Sequence, residues 1–288
     1  MATWIQKLET AWWRRYAPNS SALPGDLGKS PVCIITGGSE GIGRQLANEF
    51  AAAGHALLLV ARTEAMLQKA ASDLREAYPI KVYTAAIDLR LPEPEKAVAA
   101  ALEANALYAE ILVNNAGIGL GGLLATQDAA TLQGLCKLNV EALTALTRAF
   151  LPAMLRRGRG GILNIASIGG LVPGPYQAAY YASKAYVISL TEALASENAG
   201  RGILISAAAP AAIATRFHER MGTKNAFYFR VPNAMTAARA ARLIFSGFMG
   251  RRTVIVPGLV QSFSAFAVRI IPHAVLAPFI GWLLKQRY

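Results

Sequence analysis

This chain is poor in the residues that build the simplest functional sites. It has two cysteines in 288 residues, Cys33 and Cys136. Both sit in apolar or helical surroundings, which excludes a disulfide framework and predicts reduced, buried thiols. Its three histidines, His55, His218 and His273, are widely scattered. They share no metal-ligand spacing, so no metal is expected. A long uninterrupted apolar run is also missing. Residues 260–284 are strongly apolar but broken by Arg269, Pro272, His273 and Pro278, which predicts two short amphipathic helices instead of one spanning helix. The first residues lack the continuous apolar core of a secretory leader. A cytoplasmic location is expected, with peripheral membrane contact as the alternative.

Acidic residues are scarce as well: 17 against 29 Lys and Arg, a formal net charge of +12. The imbalance is uneven, because the chain from Arg220 onward holds ten Lys or Arg and no Asp or Glu. With no zinc-finger spacing and no RNA-reading aromatic motif, nucleic acid is not an expected partner. Plain solubility charge is the first reading; an anionic lipid surface or an acidic or acyl-type substrate are the alternatives.

What is abundant is apolar: 54% of residues are hydrophobic and only 16% charged, the balance of a core-rich folded chain. Residues 3–16 put Trp4, Leu8, Trp12 and Tyr16 at helical spacing, an amphipathic helix whose apolar face packs on the domain or a partner subunit, or lies on a membrane. Residues 18–31 read as a linker. Thereafter apolar runs alternate with helical periods. Strands are predicted at 32–36, 56–61, 81–87, 111–114, 162–166, 203–208 and 253–256. Helices are predicted from the first glycine turn to about 53, then at 63–77, 93–105, 128–157, 177–198 and 235–248. Alternation of this kind predicts an α/β fold, a doubly wound parallel sheet of about seven strands with helices on both faces. The domain reading is 1–31 helix and linker, 32–258 catalytic domain with a lid at about 216–232, and 259–288 an apolar, basic extension. Phe217, His218, Met221, Phe227, Tyr228 and Phe229 make that lid aromatic.

Thr36-Gly37-Gly38-Ser39-Glu40-Gly41-Ile42-Gly43 falls between a predicted strand and helix. Such a turn lets backbone N–H groups approach a pyrophosphate at a helix N-terminus. Arg62, at the end of the second strand, stands where an acid would select NAD. An Arg there suits a 2′-phosphate, so NADP(H) is preferred over NAD(H), and Arg44 adds charge nearby. Tyr180 and Lys184 share a helix face at i, i+4. An ammonium beside a phenol favours the phenolate, which suits proton exchange with a carbonyl or alcohol oxygen. Ser167 precedes Tyr180 by thirteen residues, just after an apolar strand.

These spaced motifs together resemble the short-chain dehydrogenase/reductase family, over residues 32–256, and in particular its NADP-preferring branch. Besides the glycine turn, the match includes Asp88-Leu89, Asn114-Asn115-Ala116-Gly117, Asn139, Ser167 and Tyr180/Lys184. The resemblance implies a catalytic set of Asn139, Ser167, Tyr180 and Lys184. It implies a cofactor lined by Gly37, Ser39, Glu40, Gly41, Ile42, Gly43, Arg62, Asp88, Leu89, Asn115, Ala116, Gly117, Tyr180, Lys184, Pro210, Ile213 and Thr215. In that set Tyr180 exchanges the proton, Ser167 polarises the substrate oxygen, and Lys184 also bonds the nicotinamide ribose. Asn139 holds a water that links Lys184 to solvent. A homo-oligomer, dimer or tetramer, is implied too. Tyr181 is the rival for Tyr180, and family spacing selects Tyr180; Tyr176 and Tyr186 read as pocket or core aromatics. One departure stands out: the family usually has Pro-Gly after the sixth strand, whereas this chain has Pro210-Ala211-Ala212. Ala resists φ > 0, so a looser grip on the nicotinamide or a reshaped pocket is expected.

The expected activity is NADP-dependent interconversion of a carbonyl and an alcohol by hydride transfer, on a bulky apolar small molecule. The alternatives are a non-catalytic NADP-binding scaffold and a peripheral membrane enzyme acting on a lipid-type ketone or alcohol.

Overall fold

The computed structural model describes residues 23–214, 217–221, 235–268 and 270–285. The helix expected over 3–16, the first part of the 18–31 linker, Thr215 and most of the lid lie outside them. The strands are β1 (Ser30–Thr36), β2 (Leu57–Ala61), β3 (Val82–Ala86), β4 (Leu107–Asn114), β5 (Gly160–Ile165), β6 (Ile203–Ala208), β7 (Ile213–Ala214), β8 (Met235–Thr236) and β9 (Val254–Ile255). Seven form one parallel sheet in the order β3-β2-β1-β4-β5-β6-β9, and β7 pairs separately with β8.

The helices are α1 (Gly41–Ala52), α2 (Glu64–Ala77), α3 (Pro94–Ala104), α4 (Ala129–Cys136), α5 (Leu143–Arg157), α6 (Ala178–Glu197), α7 (Phe217–Arg220), α8 (Ala237–Met249), α9 (Leu259–Val268) and α10 (His273–Leu284). They cover both faces because successive strand residues point to opposite sides. Ile35, Leu59, Val113 and Leu163 pack with Phe50, Phe245 and Phe248 on one side. Ile34, Leu58, Leu112 and Ile162 pack with Leu102 and Leu146 on the other. The rings of Phe50 and Phe245 meet edge to face at 5.0 Å, joining α1 to α8. Each such buried side chain is worth roughly 1.5–3 kcal/mol.

The order of the strands reverses direction between β1 and β4, so the loops after both open at the carboxyl ends of neighbouring strands. That crevice is where ligands enter folds of this kind. It is also where the motifs collect.

Several expectations change. β4 begins at Leu107, ahead of the predicted start at 111. Its early polar residue Glu110 is buried but paired with Arg159 at 2.6 Å, so polarity hid a strand. Ser30 and Pro31, read as linker, belong to β1. Just before them Asp26 is tied to Arg157 at 2.6 Å. The helix predicted over 128–157 is interrupted by a π-helical turn, Lys137–Ala142. Cys33 is buried as expected, whereas Cys136 is exposed: its neighbour Leu135 takes the core-facing position on α4. Tyr186 is at the surface, hydrogen-bonded to Thr144 at 2.9 Å, because α6 turns it away from the sheet. The tail forms two helices, but their outward faces are apolar, with Phe263, Phe266, Phe279 and Trp282 all exposed. No helix among the described residues is long and apolar enough to cross a membrane.

Candidate active site

The glycine turn joins β1 to α1, and its shape is set by two close approaches. Gly37 has φ +65°, a left-handed conformation that a side chain resists. At Gly43 a Cβ would lie 2.3 Å from both the Gly37 carbonyl oxygen and Asn115 Nδ2. Asn115 props the turn from β4: its Nδ2 donates to the carbonyls of Thr36 at 2.9 Å and Gly37 at 3.2 Å. Thr36 Oγ1 accepts in return from the backbone N–H groups of Asn115 and Ala116, each at 3.0 Å. Ser39, Gly41 and Ile42 complete the turn and the first turn of α1. Glu40 sits at the N-cap position but makes no capping bond. Its carboxylate is instead paired with Arg220 of α7, where Nη2 meets Oε2 at 3.0 Å. The first N–H groups of α1 are therefore left to a ligand, and a helix N-terminus favours an anion.

The ribose end holds Arg62, exposed just after β2, and Asp88 after β3. Arg90 forks onto Asp88, its Nε at 3.0 Å from Oδ1 and its Nη2 at 2.5 Å from Oδ2. That hydrogen bond holds the Asp88 carboxyl below its ordinary range. Leu89 is buried beneath. Arg44, expected to add charge here, is turned along α1 to Asn48 at 2.5 Å and toward Asp73. Arg90 supplies a cation in its place. An acid two residues before an arginine was the available signal for it.

The third group of residues surrounds α6. Lys184 is buried, and its ammonium donates to the Ile165 carbonyl at the end of β5, at 2.8 Å. The same ammonium lies 5.9 Å from the centre of the Tyr180 ring, so the pair faces the carboxyl end of that strand. Ser167 follows two residues later. Its Oγ accepts from Gly169 N at 3.1 Å, and its own proton has only the distant Pro210 carbonyl, at 3.5 Å. A bond that long is weak, which leaves the hydroxyl proton available to an incoming oxygen.

Tyr181 is not placed like Tyr180. The loop after Ser167 lies on its ring: a Cβ at Gly174 would sit 2.2 Å from it and one at Gly169 3.1 Å. The bare backbone of these glycines lets the loop pack on Tyr181, whose half-buried ring lies 6.0 Å from the more deeply buried ring of Tyr180, in the same apolar cluster. Asn139, fully buried in the π-helical turn, bonds Ile118 in both directions: its Oδ1 accepts from Ile118 N at 2.9 Å, and its Nδ2 donates to Ile118 O at 2.8 Å. Gly117 lies between it and the lysine, its Cβ direction 3.2 Å from Asn139 Oδ1 and 3.4 Å from Lys184 Nζ. The π turn, a feature found often at functional sites, has no periodic signal in the sequence.

After β6, Pro210 also accepts from Ile168 N at 3.0 Å, linking this loop to the one bearing Ser167. Neither Ala211 nor Ala212 has positive φ, so both fit the loop without left-handed backbone. Ile213 is buried and pairs through β7 with Met235. The wall beside Tyr180 is apolar, built from Leu135 and Met221 with Ile118, Leu120 and Phe217. Met221 N–H and C=O tie α7 down: Gly121 N donates to Met221 O at 3.1 Å. These contacts, like the pair between Glu40 and Arg220, link residues too distant in the chain to be read from it.

Burial pulls the Lys184 ammonium down from 10.5 to about 8. The unfolded chain keeps the proton to higher pH, so between pH 8 and 10.5 it binds more protons and stability rises with pH. Below that window the folded protein carries the whole desolvation cost, about 3 kcal/mol at ~1.4 kcal/mol per pK unit. Lys184→Met is expected to remove that part of the slope. Urea midpoints of both proteins at about pH 7.5 and about pH 10 measure it, and equal slopes would refute the assignment.

Comparison with known proteins gives a consistent picture. The model of the short chain dehydrogenase family matches residues 31–226. Galactitol 2-dehydrogenase (L-tagatose-forming) of Cereibacter sphaeroides is 39% identical over 191 residues, 65% of this chain and 73% of that one. Against very-long-chain 3-oxoacyl-CoA reductases the chain spans 53–59% of their length, at 30–32% identity. Among solved structures, a short-chain dehydrogenase from Sphingobium yanoikuyae in complex with NADPH superposes with a TM-score of 0.74 at 33% identity, covering 83% of this chain and 92% of that one. The bulky-bulky ketone specific alcohol dehydrogenase of Comamonas testosteroni superposes with a TM-score of 0.70 at 29% identity, covering 85% and 96%.

Proposed function

The chain belongs to the short-chain dehydrogenase/reductase family of oxidoreductases acting on alcohols and ketones, and on that premise we propose that it is an NADP(H)-dependent carbonyl reductase for bulky, apolar ketones or their alcohols. The observation that carries this reading is the pairing of Tyr180 and Lys184 on one face of α6, at the carboxyl end of β5. The crevice fits a dinucleotide: glycines at 37 and 43 let the turn pack tightly on Asn115 and Ala116, and the N-terminus of α1 is uncapped.

When bound, the nicotinamide donates or accepts the hydride. Tyr180 passes its hydroxyl proton to the carbonyl oxygen on reduction and takes one from the alcohol on oxidation. The Lys184 ammonium, charged below about pH 8, stabilises the phenolate left behind. Ser167 donates its unsatisfied hydroxyl proton to the same substrate oxygen and orients it. Asn139 holds the loop at Ile118 in register and, through the turn that carries it, positions a water toward Lys184. NADP(H) rather than NAD(H) follows from Arg62 and Arg90, two guanidinium groups at the ribose end with no free carboxylate to bond the ribose hydroxyls. The apolar wall of Leu120, Leu135, Phe217 and Met221 favours a large apolar substituent beside the carbonyl.

The test is NADPH consumption with small polar, small apolar and bulky aryl or alicyclic ketones. The bulky ketones are expected to give the highest kcat/KM; better turnover of small polar carbonyls would overturn the substrate assignment. For the cofactor, Arg62→Ala is expected to raise the KM for NADPH by about 10–100-fold, the worth of a charged hydrogen bond, and to leave that for NADH little changed. A parallel loss with both cofactors would assign Arg62 to structure alone.

A further inference from the structure

The tail helices present a surface that a water-soluble protein does not usually leave open. Eight of the fourteen large hydrophobic residues exposed among the described residues lie between Val260 and Trp282. Phe263 is 74% exposed and Ile270, between α9 and α10, 69%; Phe266, Val275, Phe279 and Trp282 are exposed as well. These side chains do not face the core. Ala265 of α9, and Leu276, Gly281 and Leu284 of α10, are the buried residues that fasten the helices to the domain. Single exposed apolar residues are ordinary, but eight within 23 consecutive residues, two of them stacked as Phe279 and Trp282, mark a partner.

The position of the surface ties it to the active site. α9 starts three residues after β9, at the carboxyl edge of the sheet, and packs against Ile168–Leu171. Gly281 of α10 faces Pro175: a Cβ placed there would lie 3.3 Å from the proline Cγ. Both helices therefore brace the loop that runs from Ser167 to Tyr180.

Charge separates the partners. No Asp or Glu follows Glu219, while Arg269, Lys285 and Arg287 flank the apolar residues. In a two-fold contact the same segment meets itself, and its sequence supplies Lys and Arg but no carboxylate to answer them. An anionic lipid surface accepts both halves of the pattern: apolar side chains enter the acyl boundary and cations meet the headgroups. Trp282 next to Lys285 at the end of α10 is the residue pair that favours that boundary. With no spanning helix among the described residues, the mode is attachment in the interface plane.

We propose that α9 and α10 dock this protein on an anionic membrane surface and hold the mouth of the active site against it, so that the substrate is a ketone or alcohol borne on an acyl chain and drawn from the bilayer. The substrate half of this proposal rests on the carbonyl reductase reading above; the docking half does not.

The test is co-sedimentation of the full chain with phosphatidylcholine vesicles with and without phosphatidylglycerol. It is run at low salt and at about 1 M salt, where the Debye length is about 3 Å. Binding strengthened by phosphatidylglycerol at low salt, with an apolar part that persists at high salt, is expected. The variant Phe263→Ser, Phe266→Ser, Phe279→Ser and Trp282→Ser should lose it by about tenfold or more and keep its turnover of a water-soluble ketone. A second readout is quenching of Trp282 fluorescence by brominated lipid, in a chain carrying Trp4→Phe, Trp12→Phe and Trp13→Phe. Release of both proteins alike by salt would mean attraction by net charge and overturn the proposal. So would unquenched Trp282, equal binding by the serine variant, or a dimer in light scattering that the variant dissociates. Vesicle binding is read without turnover, so an inactive enzyme that still docks would refute the proposed function and leave the docking standing.

Discussion

Tyr180→Phe is expected to lower kcat by about 10²–10⁴-fold, the usual contribution of a positioned general acid or base, while NADPH affinity changes little. The substitution removes one hydroxyl and keeps the ring, which is buried against Phe217 at 5.6 Å and Lys184. Stability should therefore move by less than about 1 kcal/mol, in the range of small, volume-conserving changes. Steady-state rates with the best ketone, alongside fluorescence titration with NADPH, separate the two effects. A variant that binds cofactor and turns over as fast as the unmodified enzyme would remove Tyr180 from the chemistry. If neither protein turns over any carbonyl although both bind NADPH, the fold serves as a cofactor-binding scaffold. Tyr181→Phe is the control, since its ring is packed against the Ser167–Tyr180 loop and it lies three residues, not four, from Lys184.

Gly43→Ala is expected to weaken NADPH binding by about 5–150-fold, the equivalent of the 1–3 kcal/mol that overpacking costs. The added methyl would meet the Gly37 carbonyl oxygen and Asn115 Nδ2, both at 2.3 Å, and neither is a flexible chain end. Relief requires α1 to move off the turn. That motion breaks the two bonds from Asn115 to the Thr36 and Gly37 carbonyls and swings the open N–H groups away from the phosphate position. A Tm lower by several degrees should accompany the loss. Unchanged NADPH affinity would mean that the helix N-terminus does not hold the pyrophosphate.

How much of this was legible in the sequence depends on the distance over which each feature is decided. The glycine turn, the apolar strands and the i, i+4 pair of Tyr180 and Lys184 are local patterns, and the seven-stranded parallel sheet follows from their alternation. β4 escaped at its start because Glu110, a strand residue, is made tolerable by an arginine on another segment. The direction of the Arg44 side chain was hidden for the same reason: Asn48 is on its own helix, but Asp73 is on α2. The exposed Cys136 and Tyr186 were misassigned because composition says what a helix contains and not which face it buries.

By itself, the sequence determined the order of strands and helices and the chemical types available at the crevice, because periodicity and turn chemistry act over a few residues. Only the tertiary structure decided which carbonyl the Lys184 ammonium meets, where the Asn139 amide points, and that Glu40 meets Arg220 across 180 positions of chain. Those outcomes depend on which loops the sheet order brings together. The apolar character of the tail was equally plain in the sequence. That its aromatic residues face outward was decided by the packing of α9 and α10 on the domain, which buries Ala265, Leu276, Gly281 and Leu284 instead.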